Sequence, residues 1–320
     1  MAAGCSSGSG SDSDAVPATS VPTPTSAPPA APTAPSTPAP GSGPAPEPPG
    51  GEARAVVSPR GVVLPVKARI GNGYRVETPC SNTAVVRGAK PVPGVAVVID
   101  VGHGGEEEGA RGPNGLSEKV VNLAVAGHTR AALERQGTAA VLTRTGDYRM
   151  TLDARAALAL ALRPRALVSI HHNSVPDGPR AGPGTETYYQ IRSADSKRLA
   201  GLIYEEVVKA LSSYRVAWVA DRDAGAKYRP NSRGGDYYAI LRQAAPVTAV
   251  LAELAFISNP PEAELLARAD VQRAEGEAVA RGILRFLTSD ASGSGHVTPY
   301  PRNEPAGPGG GTSGCVDPPL

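Results

Sequence analysis

The run Val97-Val98-Ile99, ending at Asp100 and followed by Val101-Gly102-His103-Gly104-Gly105, does most to limit the folds open to this chain. Three successive β-branched residues without polar alternation read as a strand buried on both faces, the habit of a parallel sheet covered by helices. The glycines around His103 let the backbone bend sharply and leave the imidazole uncovered at the strand's C-terminal end. Open α/β sheets place their sites there. One histidine in a glycine-rich loop is as readily a loop residue as a ligand, so the reading depends on partners.

Those partners lie downstream. Ser117, a helix-capping residue type, precedes Glu118 and a helical run through Val121, Leu123 and Leu133 that ends at Gly137. A carboxylate in a first helical turn suits the helix dipole whatever else it does. Residues 166–173 repeat the first pattern, an apolar strand ending in His171 and His172, and a third strand over 247–256 carries Glu253 inside it. An acid in a buried strand is costly unless it is paired, bound to metal or at work in a site. Two histidines and one glutamate with an open fourth position form a ligand set of catalytic zinc, and a second glutamate is what activates the attacking water.

Between these segments the pattern alternates. A strand is expected at 140–145, a helix at 152–162, a strand at 185–191, a helix at 194–211, and helices from Asn259-Pro260 to about 287. The fold class is α/β, a mostly parallel or mixed sheet with helices on both faces over residues 94–289. A small β segment precedes it at 53–93, where Gly71-Asn72-Gly73 signals a hairpin. That segment reads as a flap packed on the catalytic part or, less simply, as a wall-binding module.

The ordered segments Val-Ile-Asp-Val-Gly-His-Gly-Gly at 98–105, Gly-Leu-Ser-Glu-Lys at 115–119, Leu-Thr-Arg-Thr-Gly-Asp at 142–147, Ser-Ile-His-His-Asn at 169–173 and Leu-Ala-Glu-Leu-Ala-Phe-Ile-Ser-Asn at 251–259 carry a specific resemblance. Together they resemble the zinc-dependent N-acetylmuramoyl-L-alanine amidases of the AmiC and CwlV type, the amidase_3 family. The resemblance implies that His103, Glu118 and His171 bind Zn²⁺ and that Glu253 is the catalytic acid/base. The implied reaction is hydrolysis of the amide between N-acetylmuramic acid and L-Ala of a peptidoglycan stem peptide. His171 is preferred to His172 because the family's ligand follows Ser-Ile directly, commonly with Ala next. Successive strand residues also face opposite ways, so the two histidines do not easily share one metal, and His172 is read instead as lining the cleft. Two rival readings use the same residues: a zinc peptidase cutting within the stem peptide, and a non-catalytic peptidoglycan-binding regulator.

Arg144, Asp147 and Arg155 match family positions and read as an ion-paired structural network, with contact from Arg144 to substrate as the alternative. The Asn that the family carries soon after this Arg is absent from Ala156-Ala157. The polar loop 220–236 reads as mobile and exposed, either holding an anionic stem peptide or merely solvated. Some relatives insert a helical plug before the last catalytic strand, and residues 191–247 leave little room for one.

A formal charge of +2 and 4% aromatic residues argue against nucleic acid as a partner. Peptidoglycan or muropeptides are the expected partners of a monomer outside the cytoplasm. Residues 1–7 look like the end of a lipoprotein signal with Cys5 as lipid acceptor, although the charged and apolar regions of such a signal do not precede it. Residues up to 52 form a Pro/Ala/Ser-rich linker, and 290–320 a flexible Gly/Pro-rich tail. With lipid on Cys5, Cys80 and Cys315 remain as a disulfide pair stapling that tail to the β segment, or as two free thiols.

Overall fold

The computed structural model describes residues 53–302 and 310–320. Cys5 and the linker lie outside them. Five strands come first: β1 (Ala55–Val57), β2 (Val63–Ile70), β3 (Gly73–Glu77), β4 (Thr83–Arg87) and β5 (Lys90–Pro91). They form an antiparallel sheet in the order β4-β3-β2-β1-β5. Gly71, at φ +55°, begins the β2–β3 turn that its sequence announces. Val56, Leu64, Val76 and Val86 bury one face of this sheet.

The remaining elements are β6 (Val97–Val101), α1 (Glu118–Arg135), β7 (Ala140–Leu142), α2 (Leu152–Leu162), β8 (Ala166–Asn173), β9 (Gly178–Arg180), β10 (Glu186–Tyr189), α3 (Ala194–Leu211), β11 (Trp218–Ala220), β12 (Ala226–Lys227), α4 (Ala239–Gln243), β13 (Ala249–Phe256), α5 (Pro260–Leu266) and α6 (Ala269–Thr288). Six of these strands make a mixed sheet in the order β12-β10-β13-β8-β6-β7. Every neighbouring pair is parallel except β10 with β13. The α/β class and the mixed sheet are as expected, with β9 and β11 paired separately.

Strand periodicity decides which side chain meets which helix layer. Val97, Ile99 and Val101 of β6 join Val168 and Ile170 of β8 and Val250 and Leu254 of β13 in a core with Val121 and Val125 of α1, Leu199 and Leu202 of α3, and Ile283 of α6. The intervening residues Val98, Leu167 and Leu251 pack against Leu158 and Leu162 of α2 and Ile240 and Leu241 of α4. Each such side chain withdrawn from water contributes roughly 1.5–3 kcal/mol. Asp100, Ser169, His171 and Glu253 fall on the α2/α4 side by the same alternation, toward the C-terminal ends of parallel strands. The functional candidates are therefore set by the period that builds the core.

Three expectations need correction. Ser117 stands at the N-cap of α1, but its hydroxyl makes no cap bond among the described residues. The first-turn amides of Glu118 and Lys119 instead donate to the carbonyls of Ala110 and Glu108, at 2.9 and 3.0 Å. The loop 220–236 is not wholly exposed, because residues 223–227 are buried. Two of its charges are satisfied inside the protein: Lys227 Nζ lies 2.7 Å from both Glu186 Oε1 and Asp223 Oδ1. The described parts of the tail also make specific contacts. His296 pairs with Ala226 in a parallel bridge, Arg302 ion-pairs with Asp221 and Asp223, and Cys315 is disulfide-bonded to Cys80 with Cα atoms 5.6 Å apart.

Candidate active site

Glu118 is the hub of the site. His103 Nε2 lies 3.1 Å from its Oε2, and His171 Nδ1 lies 2.9 Å from its Oε1. The two imidazoles stand edge to face at 5.0 Å. One ligand atom from each of the three residues lies within 4.8 Å of the others. The Ala110 amide donates to Oε2 at 2.8 Å, while the His172 amide and the Asn122 side chain each donate to Oε1 at 3.2 Å. Burial pushes the Glu118 carboxyl up, but hydrogen bonds from His103 and His171 outweigh it and hold the group well below the usual carboxylate range. Burial also lowers His171, which keeps its imidazole neutral, as a metal ligand must be.

Glycine makes this approach possible at two positions. A Cβ on Gly102 would stand 2.3 Å from the His171 ring, and one on Gly109 would stand 2.4 Å from Glu118 Oε2. His103 itself holds a left-handed backbone, φ +60°, uncommon for a residue with a side chain and concentrated at functional sites. Arg155 supports that conformation by donating to the His103 carbonyl at 2.7 Å and pairing with Asp100 at 2.7 Å. Arg144 is fully buried and donates to the carbonyls of Gly102 and Lys119. Asp147 pairs with Lys119 at 2.9 Å. The network is thus structural, and it braces carbonyls around the His103 loop more than it pairs charges.

Glu253 projects from β13 beside the cluster, in register with His171 on one side and Glu186 on the other. Its Oε2 is buried and has no hydrogen-bond partner among the described residues. Burial, followed by the negative charges of Glu118, Glu186 and Asp221, pushes its carboxyl well above the usual range. A group so placed readily holds a proton, as an acid/base must. Glu253, His103 and His171 line a cleft of about 690 Å³ that extends to Arg229, Tyr238 and Arg242.

His172 does not line this cleft. It is 1% exposed on the opposite face of β8, with Nδ1 2.8 Å from Asn122 Oδ1 and Nε2 3.4 Å from Glu275 Oε2. Through Asn122 it helps orient Glu118, the kind of support that fixes a metal ligand. Asn122 and Glu275 carried no signal of this in the sequence, since helical periodicity places them on an ordinary packed face.

The three residues fit a metal ion: two imidazoles and a carboxylate converge, with open space on the cleft side for the remaining positions. Glu186, Asp221 and Asp223 also bring oxygens within 4.8 Å of one another. There, however, Lys227 and Arg302 already supply the positive charge.

Residues 97–285 match the N-acetylmuramoyl-L-alanine amidase family. The chain is similar to YqiI of Bacillus subtilis, an uncharacterized protein, at 38% identity over 64% of this chain and 88% of that one. It is also similar to the amidase LytC of Bacillus subtilis, at 33% identity over 65% of this chain, although it spans only 39% of LytC. Among solved structures, the catalytic domain of the amidase CwlV from Bacillus (Paenibacillus) polymyxa var. colistinus superposes with a TM-score of 0.51 at 34% identity, over 60% of this chain and 98% of that one. The matched span contains all of β6 to β13 and each residue of the His103 cluster, and the chain belongs to the N-acetylmuramoyl-L-alanine amidase family.

Proposed function

We propose that the chain is a zinc-dependent N-acetylmuramoyl-L-alanine amidase that cuts the amide between the lactyl group of N-acetylmuramic acid and L-Ala of the stem peptide. The observation that carries this reading is the convergence of His103, Glu118 and His171 beside an unpartnered Glu253 carboxylate oxygen in one cleft. His103, Glu118 and His171 would hold the ion, with Zn²⁺ favoured by the two-imidazole, one-carboxylate set. Bound there, Zn²⁺ supplies Lewis acidity, polarising the carbonyl and acidifying water.

The chain's own residues do the rest. Glu253 takes a proton from the attacking water, whose oxygen bonds to the lactyl carbonyl carbon. The same carboxyl then delivers that proton to the L-Ala nitrogen as the C–N bond breaks. Amines leave poorly unless protonated, so this second transfer is the more demanding one. Arg229 and Arg242 along the cleft provide guanidinium groups suited to stem-peptide carboxylates. The reading includes a monomeric enzyme of cell-wall remodelling that works outside the cytoplasm and touches a membrane only through lipid on Cys5. Among the described residues no helix is long and apolar enough to cross a membrane.

Mass spectrometry of muropeptides after digestion tests it. Intact stem peptides beginning at L-Ala are expected. Fragments cut within the stem would establish the peptidase reading instead, and undigested muropeptides bound by zinc-loaded protein the regulator reading.

A further inference from the structure

One lining residue of the cleft, Gly310, lies beyond the family match, which ends at 285. Gly310 lines the cleft with Glu107, Met150 and Leu152. Its amide donates to Glu107 Oε1 at 2.6 Å, and its carbonyl accepts from the Leu152 amide at 2.9 Å. Arg149 pairs with Glu107 at 2.9 Å and donates to the carbonyls of Gly311 and Ser313, at 2.8 and 2.7 Å.

Just beyond this segment the chain is tied down twice. Cys315 is bonded to Cys80, and Asp317 accepts from Thr78 Oγ1, the Cys80 amide and Asn82 Nδ2 at 2.8, 2.8 and 2.9 Å. The same turn of the β segment meets the cleft rim directly. Pro79 O accepts from the Thr151 amide at 2.9 Å, and Ser81 Oγ lies 2.5 Å from Thr151 Oγ1. Thr151 caps α2, the helix whose Arg155 braces the His103 carbonyl.

The cleft is not uniform in charge. Arg229 and Arg242 suit carboxylates, whereas Met150, Leu152 and Gly310 present an uncharged face, with Glu107 and Arg149 neutralised against each other. Of the two parts of a muropeptide, the stem peptide carries carboxylates and the N-acetylated glycan beyond the muramoyl residue carries none. We propose that Gly310, held in place by the disulfide-stapled segment that follows it, completes with Met150 and Leu152 a wall of the cleft that receives the glycan strand, so that tight glycan binding depends on the Cys80–Cys315 bond. This rests on the amidase reading above.

The test compares wild type, Cys315→Ser and Cys80→Ser, all zinc-loaded, on two substrates: glycan-strand peptidoglycan fragments and a single-sugar muramoyl dipeptide. For the glycan-strand substrate KM should rise about tenfold in both variants, the factor expected when one or two contacts are lost. The kcat value, zinc content and KM for the single-sugar substrate should stay within about twofold. An unchanged KM on glycan strands, or an equal rise on both substrates, overturns the proposal. Should the cysteine variants fail to fold, Asp317→Asn keeps the disulfide, weakens the anchor, and is read the same way. If wild type cleaves neither substrate, the amidase reading falls by itself. Calorimetric binding of glycan-strand fragments to the same proteins then decides the wall: weaker binding in the variants supports it, and equal binding overturns it.

Discussion

Two clusters in this molecule each bring three ligand-type side chains within 4.8 Å, yet they are opposite in kind. Around Glu186, Asp221 and Asp223 the positive charge is supplied by the protein, with the fully buried ammonium of Lys227 between two carboxylates and Arg302 against the third. Around His103, Glu118 and His171 the partners of the carboxylate are imidazoles and amides, and the cluster opens on the cleft. Proximity of acidic groups does not distinguish a metal site from an internal ion cluster. What distinguishes them is whether a fixed cation is already present and whether the ligands reach solvent-filled space.

The largest expected effect breaks the His103 cluster. Glu118→Ala or His103→Ala should lower amidase turnover by at least about 10³, the loss that goes with removing metal-ion catalysis worth several kcal/mol. Steady-state hydrolysis of muropeptides checks this, and turnover within tenfold of wild type would reassign the site. Next, Glu253→Gln should keep its metal while turnover falls by about 10² to 10⁴. Parallel elemental analysis and kinetics separate this loss of proton transfer from loss of the ion.

The Glu186 cluster should respond in stability first. Lys227→Met leaves buried acids uncompensated and should cost about 3–5 kcal/mol in denaturant unfolding, with zinc content unchanged. A change in zinc content with no loss of stability would erase the distinction between the clusters.

The smallest effect concerns pH in chelator-treated, metal-free protein. Glu253 has a folded pKa raised above its unfolded value, so the folded state binds its proton more tightly. Its ionisation therefore costs stability as pH rises above about 4.3 toward the folded value. Glu118 is depressed, so its contribution is present above the unfolded value and is lost as pH falls. Metal-free Glu253→Gln should accordingly be more stable than wild type at neutral pH, with the gap closing on acidification. A gap that widens in acid would contradict the sign.

Much of this contrast was legible in the sequence where one period governs. The β-branched run at 97–99 and the strand 166–173 announce the sheet, and alternation alone sends His171 and His172 to opposite faces. Local composition misled where charges are satisfied from afar. The loop 220–236 reads as exposed because it is polar, yet Lys227 finds Glu186 41 residues away and Arg302 finds Asp223 79 residues away. No periodicity encodes such pairs. The tail's Gly/Pro composition likewise hid that Gly310 meets Glu107 and Leu152, although the cysteine count did point to its anchor.

The most direct measurement is the zinc stoichiometry of three folded proteins, determined by elemental analysis after dialysis against trace zinc. The account requires one zinc per chain in wild type, one in Lys227→Met, and almost none in His103→Ala. Zinc retained by His103→Ala, or lost from Lys227→Met, would place the ion in the other cluster and contradict it.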